Sequence, residues 1–181
     1  EDILAAGRKR EVAAPVIWDL NKSGKAEIIT GMGYELVAVD SDGKLVWSFP
    51  MKNRIDSAIS IADADGDGDV EIYAVDLSGT MVCVKADGNS KWSAKLGGRA
   101  RRSPTIADID GDGTVEIITA GYSNKMQVFN PAGDIDEEIA IKGGTNAAAT
   151  IADLFGDGGL CAVVPEISGN LVVYRWNPVI K

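Results

Sequence analysis

Four segments of this 181-residue chain align on one another, and that repeat constrains the fold more than any other feature. They run from Ala14 to Gly31 (APVIWDLNKSGKAEIITG), Ser57 to Val75 (SAISIADADGDGDVEIYAV), Ser103 to Gly121 (SPTIADIDGDGTVEIITAG) and Ala148 to Pro165 (AATIADLFGDGGLCAVVP). Their leading acids are Asp19, Asp63, Asp108 and Asp153, at spacings of 44, 45 and 45 residues. After each comes a Gly-containing turn and a second apolar run: ELVAVDSDGKLVW from Glu35, TMVCVKADGNSKW from Thr80, KMQVFNPAGDIDE from Lys125 and NLVVYRWNP from Asn170. The runs are short, rich in Val, Ile and aromatic residues, and bounded by Gly, Asn, Asp and Ser. No stretch sustains a 3.6-residue period. Each repeat therefore reads strand, Asp loop, strand, Gly turn, strand, Asp-Gly turn, strand. Four antiparallel strands in about 45 residues is the size of one propeller blade.

The expected architecture is all-β: a single domain over 1–181, a β-propeller of four blades, each a four-stranded antiparallel sheet. The repeats fall at about 12–52, 55–97, 101–142, and 146–181 with 1–7. The fourth repeat stops after its third strand. The opening EDILAAGR matches the fourth strand of other repeats, such as KWSAKLGGR from Lys91, so the N-terminal strand is expected to close the ring and remove two sheet edges. The alternative is a part of a larger seven- or eight-bladed propeller. The chain begins at Glu1 rather than Met and shows no leader, as expected of a processed or excised piece of a longer polypeptide.

The Asp loops follow the pattern D-x-[DN]-x-[DS]-G-x-x-E. Positions 1, 3, 5, 7 and 9 are Asp19, Asn21, Ser23, Lys25 and Glu27 in the first loop. They are Asp63, Asp65, Asp67, Asp69 and Glu71 in the second, and Asp108, Asp110, Asp112, Thr114 and Glu116 in the third. Hard cations such as calcium take six to eight oxygen ligands. Side chains at alternate positions of a tight loop can turn inward together, and position 7 can offer its carbonyl, which leaves its side chain free to vary. Clustered carboxylates repel one another unless a cation neutralises them. An EF-hand opens similarly but needs Glu at position 12 between helices; here position 12 is Ala74 or Thr119, between strands. About three Ca2+ ions are expected, one per intact loop. The fourth loop has Phe155 at position 3 and Cys161 at position 9, so it is expected to be empty or very weak.

These loops resemble the FG-GAP (VCBS) repeats of integrin α-chain propellers and bacterial surface proteins. The resemblance extends over all four repeats and is most specific in the second and third loops. It implies calcium at positions 1, 3, 5, 7 and 9. The chain departs from that family in ending the motif with Glu rather than Asp, and in lacking the paired Phe-Gly and Gly-Ala-Pro signatures. VAVDSDGKLVWSF also resembles the outer strands of quinoprotein-type propellers, but no cofactor residue carries over.

The remaining composition narrows the function. Net charge is −9, which disfavours nucleic acid as a partner. Histidine is absent, which removes the commonest general base and the usual zinc and copper ligand. No apolar run is long enough to span a membrane. Cys83 and Cys161 sit in strand-like runs, as buried thiols or joined in a disulfide. In a propeller the links from strand four to the next strand one share a face with the strand two-to-three turns. That face collects Arg8, Lys9, Arg10, Arg54, Arg99, Arg101 and Arg102 with Tyr34 and Tyr122. Arg pairs with carboxylate and sulfate, and Tyr stacks on sugars, so an acidic glycan or an acidic protein segment is the expected ligand. Trp47 and Trp92 are expected to anchor packing at the outer strands, and Trp18 to fill the axis.

The leading functional expectation is a calcium-stabilised recognition or adhesion module, non-catalytic, in an extracellular, periplasmic or cell-surface setting where calcium is plentiful. Two alternatives stand beside it. One is part of a polysaccharide lyase or hydrolase, with Arg or Lys as base beside a calcium-held carboxylate, suggested by resemblance alone. The other is a structural subunit of a larger envelope or redox assembly.

Overall fold

The computed structural model describes residues 13–176, and every regular element among them is a β-strand. The first blade holds β1 (Val16–Trp18), β2 (Glu27–Met32), β3 (Glu35–Val39) and β4 (Leu45–Pro50). The second holds β5 (Ser60–Ala62), β6 (Glu71–Val75), β7 (Thr80–Lys85) and β8 (Ser90–Lys95). The third holds β9 (Thr105–Ala107), β10 (Glu116–Ala120), β11 (Lys125–Phe129) and β12 (Ile135–Ala140). The fourth shows β13 (Thr150–Ala152), β14 (Cys161–Pro165) and β15 (Leu171–Arg175). Strand order within each sheet is sequential and every pairing is antiparallel. This is the expected all-β propeller architecture. A bulge recurs at the same place in three blades, at Ala38/Val39, Cys83/Val84 and Val128/Phe129, where the outer strand begins to twist away.

The core lies between blades, in three apolar layers. Leu36 and Ala38 of the first blade meet Ile72, Val82 and Val84 of the second. Tyr73, Met81 and Cys83 of the second meet Ile117 and Phe129 of the third. Ile118, Met126 and Val128 of the third meet Ala162 and Val164 of the fourth. Adjacent residues on one strand, such as Ile72 and Tyr73, thus serve different layers, because successive side chains point to opposite sheet faces. Both faces of an internal blade are buried, which is why β6 and β10 read as unbroken buried runs. Each fully buried aliphatic or aromatic side chain contributes roughly 1.5–3 kcal/mol.

The end blades expose what the internal blades bury. Ile28 is 39% exposed, whereas its counterparts Ile72 and Ile117 are 0% exposed. On the fourth blade, Leu171 and Val173 are exposed, while Met126 and Val128 at the same positions are buried. The expected closing strand (1–7) lies outside the described residues. Trp18, expected to fill the axis, is instead 45% exposed at the end of β1.

Polar contacts stitch the blades at three radii. Near the axis, Ser60 Oγ donates to the Pro104 carbonyl and Thr105 Oγ1 to the Ala149 carbonyl, both at 2.6 Å. Midway, the turn amides of Leu77, Tyr122 and Ile167 donate to the link carbonyls of Arg54, Arg99 and Gly144. At the rim, Trp47 Nε1 donates to Ala86 O and Trp92 Nε1 to Pro131 O, each at 2.9 Å, as expected of outer packing anchors. Trp92 also stacks on Phe129, with ring centroids 6.2 Å apart and planes 15° apart. At the third junction Glu137 stands where those tryptophans would, and the chemistry is inverted. Its carboxylate accepts from Tyr174 Oη at 2.5 Å and from Trp176 Nε1 at 2.9 Å. Cys83 and Cys161 are free and buried, and burial pushes the Cys83 thiol up to about 12.

The tryptophan anchors dictate glycine in the neighbouring blade. Gly133 has φ +92, and a Cβ there would lie 2.6 Å from the Trp92 ring. Gly43 has φ +77 in a comparable turn, but nothing lies within 4 Å of its missing Cβ. Gly43→Ala should therefore cost only the left-handed backbone, about 1–2 kcal/mol, and Gly133→Ala about 1–3 kcal/mol more from the ring contact. Urea midpoints compare the two. Equal shifts would mean that Trp92 is not held over the turn.

Candidate metal centre

The loops between first and second strands lie on the disc face opposite the inter-blade links. A cleft of ≈ 470 Å³ shows this arrangement, with Asn21 and Lys22 of the first loop, Asp65, Asp67 and Glu71 of the second, and Asp87 of the β7–β8 turn in its wall. All three intact loops share one construction. The position-1 Asp collects loop amides: Gly24 N donates to Asp19 Oδ2 at 2.8 Å, Gly68 N to Asp63 Oδ2 at 2.9 Å, and Gly113 N to Asp108 Oδ2 at 3.0 Å. The position-9 Glu, buried at the first residue of the second strand, reaches back to the amide of position 2. Leu20 N donates to Glu27 Oε2 at 2.9 Å, Ala64 N to Glu71 Oε2 at 3.1 Å, and Ile109 N to Glu116 Oε2 at 2.9 Å.

Two carboxylate triplets result. Asp63, Asp65 and Glu71 form one, and Asp108, Asp110 and Glu116 the other; in each, one oxygen per residue lies within 4.8 Å of the others. Either triplet could hold a metal ion. The position-5 acids stand outside both; Asp67 Oδ1 accepts from Asp69 N at 2.8 Å and Asp112 Oδ1 from Thr114 N at 2.7 Å. Asp69 pairs with Lys22 of the neighbouring loop at 2.7 Å. The first loop has only two acids, Asp19 and Glu27; its Asn21 and Ser23 serve the loop's own hydrogen bonds, with Ser23 N donating to Asn21 Oδ1 at 3.0 Å and Lys25 N to Ser23 Oγ at 3.3 Å.

The loops differ in what meets the second oxygen of the position-9 Glu. In the first loop Asn21 Nδ2 donates to Glu27 Oε1 at 3.0 Å. In the second, Lys91 Nζ lies 2.9 Å from Glu71 Oε1 and 2.6 Å from Asp65 Oδ2. In the third, Glu116 Oε1 has no hydrogen-bond partner among the described residues, though the residue is only 8% exposed. The fourth loop has lost its Glu, and Asp157 instead pairs with Arg175, whose guanidinium lies 4.9 Å from the centroid of the Phe155 ring. Lys91, Arg175 and Glu137 escape the sequence reading because they lie on other strands, outside the repeated motif. The one signal is positional: Val46 and Asp136 stand where Lys91 does.

These surroundings set the charge state of each loop. Burial, with Asp110, Asp112 and Asp108 nearby, pushes the Glu116 carboxyl above its ordinary value. The Lys91 ammonium draws the Asp65 carboxyl down.

On the opposite face, the expected ligand residues assemble in part. Asp56, Arg101, Arg102 and Asn146 line a cleft of ≈ 340 Å³. Arg102 Nε donates to the Asn146 carbonyl at 2.6 Å, and Tyr122 Oη to Asn146 Oδ1 at 2.5 Å. Arg99 is exposed beside them, and its carbonyl accepts from Tyr122 N. Arg54 is half-buried, 3.6 Å from Asp56. Tyr34 is exposed on the first blade. Arg8, Lys9 and Arg10 lie outside the described residues. An acid unforeseen in the sequence thus sits within the basic face: Asp56, whose Oδ1 is buried without a partner.

The model of the λ-carrageenase β-propeller domain family matches residues 27–143, from the second strand of the first blade to the end of the third. This chain belongs to that family. No curated protein matches it. Among solved structures, BamB from Moraxella catarrhalis is 16% identical with a TM-score of 0.67 over 91% of this chain and 46% of that one. BBS1N in complex with ARL6DN is 13% identical, TM-score 0.66, over 89% and 50%. The C-terminal domain of Pseudomonas aeruginosa PilY1 is 18% identical, TM-score 0.64, over 84% and 39%. The chain spans half the length of these structures or less, and the likeness is one of fold. The λ-carrageenase propeller, rather than the FG-GAP repeat, is the family matched. Among the described residues no helix is long and apolar enough to cross a membrane.

A carboxyl whose pKa is raised by folding stabilises the fold when protonated and loses that contribution as pH rises through the folded value. With chelator present, wild-type protein should therefore lose, as pH rises above 4.5, a component of stability that Glu116→Gln does not lose. Parallel denaturation series at pH 4 to 7 measure it. Superimposable pH profiles would show that Glu116 is not held as an uncompensated buried acid.

Proposed function

We propose that this propeller is a recognition domain for an anionic polysaccharide of the λ-carrageenan kind, stiffened by divalent cation on the opposite face. The observation that carries the reading is the family match, from a carrageenase propeller, together with the Arg101–Arg102–Asn146–Tyr122 cluster on the link face. Guanidinium groups pair with sulfate or carboxylate through paired N–H donors, and Tyr122 and Tyr34 offer exposed rings for sugar faces. Asp56 lines the same cleft beside the arginines. The metal reading rests on the acidic triplets, with calcium the ion that suits an all-oxygen site. A polymer ligand and a calcium-fed fold both suit a location outside the cytoplasm. The domain's role in this reading is to hold the polymer.

Affinity electrophoresis in gels containing λ-carrageenan, with neutral agarose as control, tests the ligand. Wild-type protein should be retarded by the anionic polymer alone, and Arg99→Ala/Arg101→Ala/Arg102→Ala should lose at least tenfold in affinity. Equal mobility of the two proteins at matched charge would refute the link-face assignment. Separately, EDTA should lower Tm by several degrees, since an ion bound only to the native state stabilises it by linkage; an unchanged Tm would remove the metal from the account.

A further inference from the structure

The four loops occupy equivalent places in equivalent blades, yet each meets its acids with a different group. The position-9 Glu is the common reference. Its Oε2 holds the position-2 amide in every intact loop, so its Oε1 is the atom left for a ligand. The Asn21 amide takes that atom in the first loop. In the second, the Lys91 ammonium takes it and simultaneously takes Asp65 Oδ2. Those are two of the three carboxylates of the triplet that could hold an ion. Lys91 is mostly buried, at 21% exposed, and Glu71 is 3% exposed, so the pair is no loose surface ion pair. An ammonium delivers one positive charge and three N–H donors to carboxylates that a divalent ion would otherwise bridge. The two cannot share the space. Arg175 plays the same part at Asp157 of the fourth loop. In the third loop the position equivalent to Lys91 is Asp136, whose carboxylate instead accepts from Asn130 Nδ2 at 3.0 Å. There the buried Glu116 faces Asp108 and Asp110, and its Oε1 has no partner among the described residues.

We propose that Lys91 is a built-in counter-ion that occupies the second loop in place of metal, so that the chain takes up a single divalent cation, in the third loop through Asp108, Asp110 and Glu116. The inference rests on the divalent-cation reading above and sharpens it from about three ions to one. It also assigns the two loops different responses to calcium supply. The second blade keeps its loop closed in calcium-free medium, and the third does not.

Calcium titration calorimetry on the whole chain tests this, with circular dichroism confirming the fold of each variant. Wild-type protein should bind one equivalent and Glu116→Gln none. Lys91→Met, which retains the aliphatic packing and removes the ammonium, should bind two. Lys91→Arg, which retains the charge, should bind one. Lys91→Gln serves in place of Lys91→Met should the latter not fold. Two or more equivalents in wild type, a count of one in both Lys91→Met and Lys91→Gln, or an equivalent surviving Glu116→Gln, would each overturn the proposal while leaving metal binding in place. No binding by wild type or any Lys91 variant would instead overturn the divalent-cation reading itself.

Discussion

The structure turns on one carboxylate in each of the first three blades: the Glu that begins the second strand and reaches back to the amide of loop position 2. This contact fixes where the loop ends and the buried strand begins. It does so by placing an acid at the edge of an apolar layer, where Glu27 is 3%, Glu71 3% and Glu116 8% exposed. A buried carboxylate with a free oxygen is costly unless something positive or hydrogen-bonding meets it. Each blade therefore needs a partner for that oxygen. The described residues supply an amide in the first blade, an ammonium in the second and no partner in the third. The fourth blade solves the problem by deletion, placing Cys161 there, fully buried beneath a strand whose Arg175 attends to Asp157.

Blade packing follows a similar rule of fixed position and variable chemistry. The rim of each junction needs a group that spans from one blade's outer strand to the next blade's turn. Trp47 and Trp92 do so with an indole N–H and a ring that leaves room only for glycine. Glu137 does so by receiving donors from Tyr174 and Trp176. The partner aromatic moves to the following blade, and the acceptor moves to the preceding one. The apolar layers beneath vary little, because both faces of an internal blade must be covered whatever happens at the rim.

Much of this was legible in the sequence because it is local. The 44- to 45-residue spacing of Asp19, Asp63, Asp108 and Asp153, the alternation of short apolar runs with Gly turns, and the D-x-D-x-D-G-x-x-E motif all lie within single repeats. They specify blade count, strand order and the loops' acidic character. Two things were hidden. The first is the occupancy of the loops, since Lys91 reaches Glu71 from a strand 20 residues away and no motif marks it. The second is the division of labour among loop acids. Spacing alone makes positions 1, 3 and 5 equivalent, whereas the folded loops bring Asp65 and Asp110 into the triplets and leave Asp67 and Asp112 outside them. Trp18 shows the converse limit: a large apolar ring near the axis is exposed at an end blade, where no neighbour among the described residues covers it.

The row of blades has two working faces. One carries the acidic loops, two of which bring together carboxylate triplets that could hold an ion. The other carries the Arg101–Arg102 cleft on links that the turn amides hold in register. Their separation keeps the acidic loops and the basic cleft from neutralising one another. The most direct measurement is anomalous scattering from crystals grown in millimolar calcium or a lanthanide substitute. The account expects one peak, between Asp108, Asp110 and Glu116, with Lys91 Nζ still seated between Asp65 and Glu71. A peak in the second loop with Lys91 turned out to solvent, or no peak in the third, would contradict it.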